Sequence, residues 1–130
     1  MKGGYVLADS ENPQVILIAT GSEVSLALEA HDTLVAQGIA SRVVSMPSWH
    51  RYESQDEAYK ESVLPMAVTA RLAIEMGSEI GWDRYVGTHG KTITMSTFGA
   101  SAPIAKLQDK FGFTVDNAVK LATEMVSAAK

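Results

Sequence analysis

Five apolar residues, Val15-Ile16-Leu17-Ile18-Ala19, run without a polar interruption into Thr20-Gly21-Ser22-Glu23, and beyond them the apolar positions take up helical spacing. An unbroken run of this length fits a strand covered on both faces, as the parallel strands of α/β proteins are. Thr20 followed three residues later by Glu23 reads as a capping box, which marks the helix start. From Ser22 to Gln37 the residues Val24, Ala27, Leu28, His31, Leu34 and Val35 share one face, while Ser25, Glu29, Asp32 and Thr33 face away. Gly38 closes the helix. Ser41-Arg42-Val43-Val44-Ser45-Met46 then completes a β-α-β unit with parallel strands, ended by Pro47.

Upstream, Tyr5-Val6-Leu7-Ala8 reads as a short strand, and the turn cluster Asp9-Ser10-Glu11-Asn12-Pro13 predicts an edge hairpin with the Val15 strand. Downstream, Ser48-Trp49-His50-Arg51-Tyr52 reads as an aromatic, polar connection. Ser54 and Glu57 form a second capping box, opening a short helix through Val63 that Pro65 stops. Ala67 to Ile74 predicts a strand. The glycines Gly77, Gly81, Gly87 and Gly90 mark a loop, and Thr92 to Ser96 a last short strand. Pro103 suits the first position of a short helix with Ile104, Leu107 and Phe111 on one side, ended by Gly112. Thr114 caps a final helix with apolar positions Val115, Ala118, Val119, Ala122, Met125, Val126 and Ala129. Strands alternating with helices predict a three-layer α/β/α sandwich with a mostly parallel sheet of about five strands and one antiparallel edge strand. Residues 1–130 are expected to form a single domain.

Composition narrows the classes of function. A chain of 130 residues is long enough to bury roughly two thirds of the surface its unfolded state exposes. The absence of cysteine removes disulfides and thiolate metal sites. With 11 Lys and Arg against 15 Asp and Glu, and no block of either sign, the chain lacks the clustered basic face that nucleic acid requires. No apolar run approaches the roughly 20 residues that span a bilayer, and the N-terminus lacks a signal-peptide core, so the expected location is cytoplasmic.

Several fragments imitate catalytic signatures and lack what the chemistry requires. Gly90-Lys91-Thr92 resembles the end of a phosphate-binding loop, but Tyr85 stands where its first glycine belongs, and a strand pattern follows where a helix must direct N–H groups at phosphate. In Gly99-Ala100-Ser101-Ala102-Pro103 a proline replaces the closing glycine of a nucleophile elbow, and no histidine lies beyond His89. The opening stretch offers only Gly21 of the three glycines of a dinucleotide fingerprint. His31, on an apolar helix face, reads as a partly buried, hydrogen-bonded side chain, whereas His50 and His89 fall in predicted loops. Asp56, Glu57 and Glu61 complement a helix dipole and face water. Two strand-to-helix turns are retained as candidate small-anion sites, through Thr20, Gly21 and Ser22 and through Gly99 and Ser101. No catalytic, cofactor-binding or metal-ligating residue is identified.

A series of segments, in order along the chain, resembles the C-terminal domain of the transketolase family. They are Gly3-Gly4-Tyr5-Val6-Leu7, Ala19 to Val24, Arg42-Val43-Val44-Ser45-Met46-Pro47-Ser48, Glu61-Ser62-Val63-Leu64-Pro65, Thr97-Phe98-Gly99 with Ser101-Ala102-Pro103, and Phe111 to Asn117. The resemblance implies a parent enzyme that transfers a two-carbon ketol unit between sugar phosphates. It also implies thiamine diphosphate, a divalent metal (Mg²⁺ or Ca²⁺) and a homodimer. The family's cofactor and catalytic motifs lie in preceding domains and have no counterpart here, so the expected role is structural, at the dimer contact, with no activity alone. Met1 directly before the domain's usual beginning suggests an expressed fragment or a separately encoded section completing the enzyme in trans. A stand-alone anion- or nucleotide-binding module is the alternative from a different class.

Overall fold

The computed structural model describes residues 4–20, 23–46, 49–75, 91–94 and 115–128. The elements in order are β1 (Tyr5–Ala8), β2 (Val15–Ala19), α1 (Glu23–Ala36), β3 (Ser41–Ser45), α2 (Trp49–Glu53), α3 (Glu57–Val63), β4 (Arg71–Glu75), β5 (Lys91–Thr94) and α4 (Val115–Ala128). The five strands form one sheet in the order β1-β3-β2-β4-β5. β2 is parallel to β3 and β4, β4 is parallel to β5, and β1 runs antiparallel to β3.

Every residue of β2 is buried because the sheet is covered on both faces. Val15, Leu17 and Ala19 meet Val43, Leu72 and Ile74 under α1 and α4, while Ile16 and Ile18 meet Val44, Met46 and Ala73 under Tyr52, Val63 and Leu64. This is the predicted α/β/α sandwich. The helical layer over β2 is lined by Ala27, Ala30, Ala118 and Ala122, all fully buried. α1 ends as expected at Gly38, whose φ of 84° is easy for glycine. Gly38 N–H donates to Val35 C=O and Ile39 N–H to Leu34 C=O at 2.9 Å, the paired bonds of a Schellman cap.

Several sequence expectations are corrected. β1 and β2 do not form a hairpin: both edges of β2 are taken by parallel neighbours, and β1 pairs with β3 instead. The connection between them passes the N-terminal end of β3, where Gln14 N–H donates to Ala40 C=O. Residues 49–53 form α2, so His50 lies in a helix rather than a loop. The cap of α3 is Asp56, whose carboxylate accepts from Tyr59 N–H at 2.8 Å. Ser54 donates instead to Arg51 C=O at the end of α2. β4 begins at Arg71 and not at Ala67. On α1 the buried face runs through Glu23, Ala27, Ala30, His31 and Leu34, leaving Val35 exposed. The expected short helix from Pro103 and the glycine loop fall outside the described residues.

Candidate functional site

Because β2, β3, β4 and β5 are parallel, their carboxyl ends share one edge of the sheet, the edge at which ligands bind in open α/β folds. Thr20 leaves β2 there, half-buried, and the chain leaves β5 after Thr94 at the same edge with β4 between them. Gly21, Ser22, Gly99 and Ser101 lie outside the described residues. Glu23, the first residue of α1, is buried and donates its N–H to Thr20 C=O at 3.2 Å. Its carboxylate complements the positive end of α1, the same charge that an added anion would seek. Beside it, Met46 N–H donates to the last carbonyl of β2 at 3.0 Å, and the Met46 side chain packs beneath Gly4 and Tyr52. Lys91, the lysine of the imitation phosphate loop, opens β5, a strand and not the helix that chemistry requires.

His31 fulfils its structural expectation: its Nδ1 lies 2.6 Å from Ser41 Oγ, both groups are buried, and the pair ties α1 to β3. Ser41 is wholly enclosed and cannot meet a substrate.

On the opposite layer, a groove of about 400 Å³ runs beside α3. It carries Glu53, Glu57 and Glu61 against Lys60 and Arg71. The charges are used locally. Lys60 Nζ contacts Glu53 at 3.3 Å and Glu57 at 3.5 Å. Both oxygens of Glu61 accept from Met66 N–H, and Arg71 donates to the carbonyls of Leu64, Pro65 and Val68. Burial draws the Arg71 guanidinium below its ordinary pKa, and its cationic form is kept by those acceptors. Such a groove holds no nucleophile with an adjacent base. It does not fit thiamine diphosphate either, since a diphosphate needs an excess of uncommitted cations and here carboxylates outnumber them. Among the described residues no group of three or more His, Asp or Glu is arranged to hold a metal ion. No buried side-chain nitrogen or oxygen among them lacks a partner. No helix of the described residues is long and apolar enough to cross a membrane.

Sequence reasoning missed two arginines that organise this layer. Arg42 grips Asp9 with two bonds, Nε to Oδ1 at 2.9 Å and Nη2 to Oδ2 at 3.1 Å, while its Nη1 donates to the carbonyls of Ser62 and Val63 at the end of α3. Arg71 holds the loop that follows. The available signal was an arginine beside the apolar centre of each strand, where a charged side chain at the edge of the core needs a partner.

The Arg42 guanidinium beside Asp9 holds that carboxyl below the usual carboxylate range. A folded-state pKa below the unfolded one adds stability that is complete above the unfolded value, about 4, and is lost as pH falls through the folded value. Since Asp9 is 44% exposed, we expect less than about 1 kcal/mol from it. Acid denaturation of Asp9→Asn should therefore show a slightly lower stability at neutral pH, with a difference that shrinks as pH falls below the ordinary carboxylate range and through the lowered folded-state pKa of Asp9. A constant difference at all pH values would remove the ion pair from this account.

A family model for the transketolase-like TK C-terminal domain matches residues 3–114. The chain is similar to the transketolase of Geobacillus stearothermophilus, 53% identical over 121 residues that make up 92% of this chain and 18% of that protein. In three dimensions it is similar to the transketolase from Leishmania mexicana, with a TM-score of 0.90 and 36% identity, covering 98% of this chain and 18% of that chain. It is also similar to a chain described as a split gene transketolase, inactive beta4 tetramer, at a TM-score of 0.71 and 25% identity, covering 98% of this chain and 43% of that one.

Proposed function

The chain belongs to the transketolase C-terminal domain family, and on that premise we propose that it is the structural and assembly domain of a larger ketol transferase. The parent enzyme would move a two-carbon unit between sugar phosphates in the cytoplasm, as a homodimer, using thiamine diphosphate and Mg²⁺ or Ca²⁺ held by other domains. The observation that carries the reading is the match along nearly the whole chain to proteins of which it spans less than a fifth. The satisfied, acid-rich groove supports a domain that contributes surfaces rather than chemistry.

Domain exchange tests this. Placed in the Geobacillus stearothermophilus transketolase in place of the 53% identical segment, this chain should yield a hybrid within about tenfold of the parent's ketol-transfer rate. A folded hybrid slower by more than about 100-fold would count against the proposal, because a correctly seated domain leaves the distant reacting geometry undisturbed. A second reading, completion of the enzyme in trans, is favoured by the likeness to the split-gene chain. Mixing the parts unfused distinguishes the two.

A further inference from the structure

We infer that Met66 is a site of reversible oxidation by peroxide, its thioether open to a hydroperoxide in the folded chain while the sulfurs of Met46 and Met125 are shielded by the core. Met66 is 82% exposed, against 1% for Met46 and 5% for Met125. Oxidation of a methionine follows access to its sulfur, and a buried one reacts only when the structure opens. The contrast in burial is therefore a contrast in rate.

The exposure is built into the fold. Val63 and Leu64 take the core places at the end of α3. Beyond them the backbone is held on both sides of Met66: its own N–H donates to the Glu61 carboxylate at 3.0 Å and 3.2 Å, while Arg71 Nη2 and Val68 N–H donate to Pro65 C=O at 2.8 Å and 3.1 Å. None of these bonds uses the thioether, so the segment keeps its shape when the sulfur changes. Met66 is also the one exposed large hydrophobic residue among those described that lines the groove beside α3. Oxidation puts a polar acceptor at that rim in place of an apolar group. In the reaction a sulfur lone pair attacks one oxygen of the peroxide, and the S–O bond forms as the O–O bond breaks. The proton on the transferred oxygen passes to the departing one, which leaves as water; sulfur gives up two electrons and the peroxide gains them. A thiol-dependent sulfoxide reductase reverses the step, two thiols becoming a disulfide while the sulfoxide oxygen leaves as water.

Peptide mapping of the 130-residue chain after brief treatment with hydrogen peroxide tests this. Trypsin, cutting after lysine and arginine, places the three sulfurs in separate fragments, 43–51, 61–71 and 121–130. In the folded chain Met66 should gain its oxygen at least about tenfold faster than Met46 and Met125. In guanidinium chloride all three should react at similar rates, which assigns the difference to the fold. The chain oxidised at Met66 alone should melt within about 2 °C of the untreated chain. A pair of reductases, one for each sulfoxide epimer, should then restore the thioether. Equal rates in the folded chain overturn the inference, as does a Met66 slower than either of the others. A rate difference that persists in guanidinium chloride overturns it too, by assigning the reactivity to local sequence. A sulfoxide that neither reductase removes from the folded chain overturns the reversibility.

Discussion

Replacing Leu17 with alanine is expected to cost about 3–5 kcal/mol, the upper part of the range for burying a cavity in a core. Leu17 lies at the centre of β2, fully enclosed, with Val43 of β3 and Leu72 of β4 as its register neighbours. The cost of such a truncation depends on how far the surroundings collapse into the space. Part of the helical layer above is alanine from α1 and α4, whose side chains have no rotamers to move inward, so refilling would fall to the larger Leu34, Val119, Met125 and Val126 of the same cluster. In thermal melts the variant should fall by roughly 10 °C or more for a domain of this size. Leu7→Ala, the same chemical change on an exposed residue, should shift the midpoint little. Equal effects at the two positions would contradict the layered core.

Arg42→Ala should cost about 2–3 kcal/mol, although the charge paired with Arg42 is a half-exposed aspartate. The ion pair contributes little of this. The larger part comes from the carbonyls of Ser62 and Val63, which close α3 and lose a charged donor. Arg42 serves both acceptors and both oxygens of Asp9 at once because a guanidinium presents its donors in a planar fork. Arg42→Lys should therefore rescue only a small fraction. Asp9→Asn provides the comparison: if it destabilises as much as Arg42→Ala, the ion pair and not the helix-end contact holds this corner. Denaturant midpoints at unchanged m-value measure the difference.

These two positions also show what could be read in advance. The burial of β2 was legible because five consecutive apolar residues have no polar face to present, and the helix after it because Gly38 stands where a left-handed residue is needed. The pairing of β1 was not. Sequence proximity suggests a hairpin, but which strand lies beside which is decided by competition for the edges of β2, and the alternation of side chains reports faces only. Ser54 precedes Glu57 at capping-box spacing, but the helix starts later, and the carboxylate of Asp56 directly before it caps the Tyr59 N–H while the Ser54 hydroxyl turns back to Arg51 C=O. Arg42 announced that it needed a partner but not that its partners stand 20, 21 and 33 residues away. Of the anion-turn residues, only Thr20 falls among those described. The neighbouring buried Glu23 was read as part of a cap, while its burial depends on packing that no local pattern encodes.

An assembly domain holds no cofactor of its own. Calorimetric titration of the 130-residue chain with thiamine diphosphate and Mg²⁺ tests that most directly. The expected trace contains only heats of dilution, whereas the hybrid carrying the remaining domains should bind the cofactor stoichiometrically. Stoichiometric binding by the chain alone would contradict the account.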